Sequence, residues 1–186
     1  MSPPLLLALV AVALVLTSFV GLARRIRLAS PSELLVISGS RRTVGDRTLG
    51  YRLLRGGRAI PLPWLERTDR LDLTVLPVTV VRRDLLAKDL TSLRVEVAVM
   101  LRVAGTAPAA DAAAACLLGR SRGEVEELAR AMLEGTLAHV VAACAPELLH
   151  NDPAHFENVM IEEAEPPLQQ VGLVIDRLAL RLVEPA

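Results

Sequence analysis

Residues 93–103 read LRVEVAVMLRV, and branched apolar side chains alternate with other residues along the whole stretch. A period of two is typical of a β-strand with one buried face, here Leu93, Val95, Val97, Val99 and Leu101. Residues 65–81 alternate in the same way, although Pro77 breaks the pattern and indicates a bulge or an edge position. We predict that the two runs form a long antiparallel pair with one solvated face, joined by a turn at 87–91.

Shorter strand patterns precede this pair. Residues 34–37 (LLVI) predict a buried strand that ends at Ser38-Gly39, and the polar stretch 40–48 predicts a turn or loop. Residues 51–54 and 58–60 predict two further strands, separated by a turn at Gly56-Gly57. The first part of the chain is therefore expected to be rich in β-structure.

Helical patterns begin after Gly105. An Ala-rich helix is predicted over 108–118, capped by Asp111 and ended by Gly119. Ser121 and Glu124 have the spacing of a capping box, which predicts a helix from there to about residue 145. The apolar residues at helical spacing that predict its buried stripe are Val125, Leu128, Met132, Leu137, Val140 and Cys144.

The last part of the chain predicts one more helix and a strand. Asn151 or Asp152, followed by Pro153, opens the helix, which we expect to run to about residue 164 before Pro166-Pro167 interrupts it. Residues 173–182 predict the closing strand. Strands, then helices, then a strand predict an α+β fold rather than alternating βαβ units.

The N-terminal segment predicts a membrane anchor. Residues 3–23, PPLLLALVAVALVLTSFVGLA, carry no charge and as a helix would span roughly 30 Å, the thickness of a bilayer core. No Lys or Arg precedes the run and several Arg follow it, so the positive-inside rule predicts a single-pass protein with a cytoplasmic domain. The chain would leave this helix at 30–32. A cleaved signal peptide and a re-entrant hairpin are the alternatives. The predicted anchor residues are Leu5, Leu9, Val12, Leu16, Phe19, Arg24, Arg25 and Arg27.

Composition and motif spacing argue against several function classes. The chain has 21 basic and 21 acidic residues, and this zero net charge argues against nucleic acid as a partner. His139, Cys144 and His150 lack the spacing of a zinc site, and Cys144 is expected to be buried. No nucleophile elbow or phosphate-binding loop is present. We predict no enzyme activity, no cofactor and no metal.

Arginine is concentrated between residues 41 and 58. One interpretation is contact with anionic lipid headgroups, and the other is an ordinary solvated β-face paired with Asp46, Glu66 and Asp69. The lone tryptophan could anchor at the membrane interface or pack in a core or subunit contact. The candidate lipid-contact residues are Arg41, Arg42, Arg47 and Trp64.

Six segments in collinear order resemble the SPFH (band 7) superfamily of stomatin, prohibitin and flotillin, and flotillin most of all. They are LLVISG (34–39), GGRAIPLPWLERTDRLDL (56–73), VEVAVMLRV (95–103), LLGRSRGEVEELARAMLEGTLAHVV (117–141), DPAHFENVM (152–160) and VGLVIDRLAL (171–180). The resemblance implies an SPFH domain and a non-enzymatic membrane scaffold that oligomerises. We expect three parts: a membrane anchor with its basic flank (1–27), a β-rich first SPFH subdomain (28–104) and an α+β second subdomain (105–186).

Three features depart from the flotillin pattern. The family's turn usually carries Asp-Gly, whereas Leu90 follows Asp89, and the first helix is unusually rich in Ala. The sequence ends at Ala186, where flotillins continue into a coiled coil. The expectation is a scaffold that binds lipids and organises a membrane microdomain, joined to itself or to related SPFH subunits. The alternative is an accessory subunit of one membrane enzyme, such as a protease or transporter.

Overall fold

The computed structural model of the chain describes residue 17 and residues 27–44, 47–59 and 66–185. Within these ranges the elements are β1 (Arg27–Val44), β2 (Arg47–Ala59), β3 (Arg67–Asp72), β4 (Leu76–Leu86), β5 (Ser92–Val103), α1 (Ala109–Leu117), α2 (Arg122–Ala143), α3 (Pro146–Asn151), α4 (Pro153–Val171) and β6 (Leu173–Pro185). The predicted α+β order is confirmed. Backbone proximity divides the chain into two compact units, Met1–Asp69 and Arg70–Ala186. The subdomain boundary predicted between residues 104 and 105 stays a prediction.

The predicted membrane anchor lies outside the described residues, apart from helical Thr17 and the strand residue Arg27. None of the helices in the described ranges has the length and apolar character needed to cross a membrane. The predicted exit at 30–32 is wrong, because these residues belong to β1. They form an irregularity there: Ala29 pairs with Gly57, and the next paired residue, Leu34, faces Arg55.

The first sheet has the strand order β2-β1-β3. The buried strand predicted at 34–37 is confirmed, since all four of its side chains are 2% exposed or less. The turn predicted at Gly56-Gly57 is wrong. Both glycines have positive φ but lie inside β2, opposite the irregularity of β1, so 51–54 and 58–59 form one strand. Much of the stretch 40–48, predicted as a turn or loop, belongs to the paired strands of the β1–β2 hairpin, because pairing continues to Val44 and Arg47.

The second sheet has the order β4-β5-β6, with both pairs antiparallel. The predicted pairing and the alternation along β5 are confirmed, and Pro77 lies on β4, which is an edge strand of this sheet and therefore tolerates proline. The single strand predicted over 65–81 is wrong, because β3 ends at Asp72 and β4 begins at Leu76. The Asp72 carboxylate accepts the Thr74 N–H at 2.9 Å, which bends the chain between the strands.

The predicted turn at 87–91 is confirmed. The Leu90 N–H donates to the Ala87 carbonyl at 2.9 Å, and Leu90 adopts φ +67°, a conformation in which glycine is usual. Asp89 holds the turn, since its carboxylate accepts the Thr91 N–H at 3.1 Å and the Thr91 hydroxyl at 2.7 Å. The same Asp-Leu-Thr triplet therefore forms a similar turn before β4, at 72–74, and after it, at 89–91.

Helix α2 begins with the predicted capping box, in which Ser121 and Glu124 bond each other's backbone N–H. Its buried face differs from the predicted stripe, because Leu128 and Met132 are half-buried and small Ala129 lies in the core. The buried residues are Val125, Ala129, Leu133, Leu137, Val140 and Val141. An alanine at a helix contact lets neighbouring elements approach closely, which the apolar pattern alone does not reveal.

Two further helix predictions are wrong. Pro108, not Asp111, occupies the N-cap of α1, and Asp111 lies in the first turn. Helix α4 runs through Pro166 and Pro167 to Val171. Its buried residues recur every fourth position, at Phe156, Met160, Ala164 and Leu168. Packing of this continuous face offsets the backbone hydrogen bonds that the two prolines cannot make.

The junction of α4 and β6 is closely packed against α1. Gly172 ends the helix with φ +85°, and its carbonyl accepts the Ala104 N–H at 2.8 Å. A Cβ atom at this position would collide with the backbone of Ala113. Glycine is therefore required both by the left-handed conformation and by the close approach of the helix.

Candidate functional site

The hairpin of β1 and β2 carries the predicted lipid-contact arginines. The pairs Val44–Arg47 and Arg42–Leu49 place Arg42 and Arg47 near its closed end, and Arg41 falls within an irregular stretch of β1. Their side chains lie outside the described part of the structure, and Trp64 lies outside it altogether. The backbone thus brings the three arginines to one end of the hairpin, and their contact with lipid stays a prediction.

Other charged side chains of the first unit form ion pairs. Arg52 binds Glu66 at 3.1 Å, and the Glu66 side chain is only 3% exposed. Arg67 and Asp69 are 3.4 Å apart, and the arginine is exposed whereas the aspartate is half-buried. For Arg52 the interpretation as an ordinary paired residue is therefore correct, and the basic concentration is not a single free patch.

The second sheet exposes apolar side chains on the face opposite its buried residues. We define this outer face by Pro77, Thr79, Val81 and Met100, which are all exposed. The register Pro77–Met100 and the alternation along β4 place all four on one face, with Val81 opposite Glu96 further along the strand. Met100 is 48% and Val81 42% exposed. Helices α2 and α4 contact β4 and β6 respectively, so the second unit has one covered and one open sheet face.

A polar cluster joins the start of α2 to the turn between β3 and β4. The Arg122 guanidinium donates to Asp72 Oδ2 at 3.1 Å, to Thr74 Oγ1 at 2.7 Å and to the Val75 carbonyl. The Thr74 hydroxyl also donates to Asp72 Oδ2, at 2.8 Å. The hydrogen bond from the Thr74 backbone, followed by its hydroxyl and the Arg122 charge, lowers the pKa of Asp72 below its ordinary 3.8 despite partial desolvation. Asp72 is thus held as a carboxylate.

A pocket of about 140 Å³ lies beside this cluster, entirely within the second unit. Its floor is apolar and is formed by Leu71, Leu76, Val103, Leu117 and Val125. Its rim is polar and is formed by Arg70, Arg120, Arg122, Asp72 and Thr74. The Arg120 Nε donates to the Cys116 carbonyl at 2.9 Å, which anchors the guanidinium group through its inner nitrogen. An apolar floor under a cationic rim is suited to binding a ligand that is part apolar and part anionic.

Among the side chains that the structure describes, the cysteines and histidines form no cluster. Cys144 is the C-cap of α2 and is half-buried, so its predicted place on the buried stripe is wrong; partial burial raises the pKa of its thiol. His139 is exposed on α2. Within the described ranges, no group of three His, Cys, Asp or Glu side chains is arranged to hold a metal ion.

Comparison with known proteins identifies the family. The profile described as "SPFH domain / Band 7 family" matches residues 28–186. The chain belongs to the SPFH/Band 7 family. The predicted resemblance is confirmed, and the SPFH domain comprises the matched residues 28–186.

A flotillin-like relative supports the finer resemblance. This SPFH chain is 24% identical over 156 residues to the flotillin-like protein FloT of Bacillus subtilis (strain 168). The match covers 80% of this chain and 30% of the relative. The chain therefore spans well under half the length of the protein it matches.

Sequence reasoning missed the pocket and its polar cluster. Arg120 and Arg122 flank the N-cap residue Ser121 and look like ordinary helix-start charges, whereas the partners of Arg122 lie about 50 positions away in the chain. One signal was available: the Asp-Leu-Thr triplet at 72–74 has side chains that hydrogen-bond nearby backbone and form turns. It would have located the turn, but not Arg122.

Proposed function

We propose that this SPFH protein is a membrane-anchored, non-enzymatic scaffold subunit that associates with further SPFH subunits and organises a membrane microdomain or a membrane-protein complex. The observation that carries the proposal is the order of two segments: the charge-free run at 3–23 directly precedes the family match at 28–186. A run of this length matches the thickness of a bilayer core. Arg24, Arg25 and Arg27 after the run favour a cytoplasmic domain.

Self-association is proposed to use the outer face of the second sheet. Exposed apolar side chains on an edge strand and its neighbour, here Val81 and Met100, are typical of a contact surface. The test is the mass of the full-length protein in mild detergent, measured by light scattering. We expect a defined particle of many subunits, which Val81→Asp reduces and which the exposed helix variant Gln170→Asp leaves intact.

The same measurement distinguishes the second candidate function. A monomeric particle would contradict the scaffold. If that monomer also co-purified with one membrane enzyme in equal amounts, the protein would be an accessory subunit of that enzyme. Sidedness is tested separately, by protease digestion of membrane vesicles of known orientation, and digestion only from the extracytoplasmic side would contradict a cytoplasmic domain.

Lipid contact is proposed for Arg41, Arg42, Arg47 and Trp64. Each Lys or Arg near an anionic leaflet contributes about 1 kcal/mol of attraction, and the hairpin backbone brings the three arginines to one end. Because the chain has a single Trp, its fluorescence reports on one site. In liposomes with brominated anionic lipids we expect quenching of Trp64, and a smaller effect after Arg41→Glu and Arg42→Glu. Unquenched fluorescence in the wild type, or quenching unchanged by the reversals, would contradict the contact.

A further inference from the structure

The pocket of the second unit has a size that restricts its ligand. Its volume of about 140 Å³ is close to that of an engineered protein cavity that accommodates benzene. One aromatic ring or one short branched aliphatic group therefore fits its floor. A long acyl chain does not fit inside this volume as a whole.

The floor supplies a continuous apolar surface for such a group. Leu71, Leu76 and Val103 come from three different strands, and Leu117 and Val125 come from two helices. All five are buried, none more than 8% exposed. A floor assembled from five rigid elements is pre-formed, which lowers the entropic cost of binding.

The rim supplies the Arg120 guanidinium at the mouth of the pocket. The rim's carboxylate, that of Asp72, is already hydrogen-bonded by Thr74 and Arg122. The Arg120 Nε is anchored on the Cys116 carbonyl. Among the described residues, no carboxylate oxygen lies within 4.0 Å of this guanidinium, and its charge interaction with Glu124 acts over a longer distance. Its terminal nitrogens are donors in the fork geometry that binds a carboxylate in bidentate fashion.

We propose that this pocket binds a small monocarboxylate that carries one compact apolar group, either a single ring or a short branched chain. The apolar group lies on the floor, and the carboxylate pairs with Arg120 at the rim. The site goes beyond the scaffold function, since it lies in the folded SPFH unit and needs neither the membrane nor a second subunit.

The test uses the full-length protein in lipid nanodiscs and 4-fluorophenylacetate as the probe, followed by ¹⁹F NMR. We expect saturable line broadening and exchange at up to about 10 mM probe, typical of a small fragment. The neutral analogue 2-(4-fluorophenyl)ethanol should bind about tenfold more weakly, because a charge-assisted hydrogen bond is lost.

Variants locate the site. Arg120→Gln should weaken binding of the acid about tenfold and leave the alcohol unaffected. Val125→Phe should abolish binding of both probes by filling the floor. Arg130→Gln, on the same helix but paired with Glu126 at 2.8 Å, is the matched control and should change nothing. Circular dichroism and the thermal transition verify that each variant is folded.

Three results would overturn the proposal. They are absence of saturable binding to the wild type, equal affinity for the acid and the alcohol, and binding of the acid that folded Arg120→Gln leaves unchanged. Because Arg120→Gln alters only an exposed side chain, it keeps the test decisive even if Val125→Phe fails to fold.

Discussion

The middle strands of the two sheets, β1 and β5, are buried in different ways. In β1 the successive residues Leu34, Leu35, Val36 and Ile37 are all buried, so both faces of the strand are covered. In β5 burial alternates, and Met100 is exposed beside fully buried Leu101. Both strands are central in three-stranded sheets. Position within a sheet therefore does not decide burial; the layers above and below the sheet do.

The largest effect is expected from truncating neighbouring residues in the two strands. Leu34→Ala and Leu35→Ala should each cost about 2–5 kcal/mol of the free energy of unfolding, although they point to opposite faces. In β5, Leu101→Ala should cost as much, whereas Met100→Ala should cost about 0.5 kcal/mol or less. Denaturant unfolding of the four variants measures this. A large loss for only one of the two β1 variants would contradict the burial of both faces of β1.

The second largest effect is expected at Gly172, on the side of the second sheet that the helices cover. Gly172→Ala should cost about 3 kcal/mol, because the new Cβ meets the Ala113 backbone and φ is +85°. Gly119→Ala is the matched control, since it has φ +81° but open space around the Cβ position. It should cost about 1 kcal/mol. Equal losses in thermal unfolding would mean that α1 does not pack closely on the α4–β6 junction.

A smaller effect concerns the turn after β4. Leu90→Gly should stabilise the second unit by about 0.5–1 kcal/mol, because glycine adopts φ +67° without strain and the exposed leucine side chain contributes little packing. The midpoint of urea unfolding measures this gain. A lower midpoint would show that the larger conformational entropy of glycine in the unfolded chain outweighs the relieved strain.

The smallest effect is a pH dependence of the other Asp-Leu-Thr turn. The Thr74 backbone hydrogen bond and the Arg122 charge hold the pKa of Asp72 below 3.8. A group whose pKa is lower in the folded state stabilises it above the unfolded pKa, and this stabilisation is lost as pH falls through the folded pKa. Asp72→Asn should therefore be less stable than the wild type at pH 6 and approach it near pH 2. A constant difference in urea midpoint would contradict this account.

Local patterns predicted well where one local interaction decides the structure. The capping box at Ser121 needs only two side chains three residues apart, and the alternation of β5 needs only one buried face. The prediction at Gly56-Gly57 is wrong because a glycine pair is compatible both with a turn and with a strand irregularity, and the partner strand β1 decides between them. Pro166-Pro167 was misread because packing of the α4 face outweighs local propensity.

The sequence by itself determined the α+β order, the antiparallel pairing of β4 with β5, the cap of α2 and the SPFH resemblance, since these follow from periodicity, spacing and collinear segments. Only the tertiary structure decided that Asp72, Thr74 and Arg122 meet, that five buried side chains from five elements form one pocket floor, and that Gly172 lies against Ala113. These are contacts between residues far apart in the chain. Their existence depends on how elements pack, which no local pattern encodes.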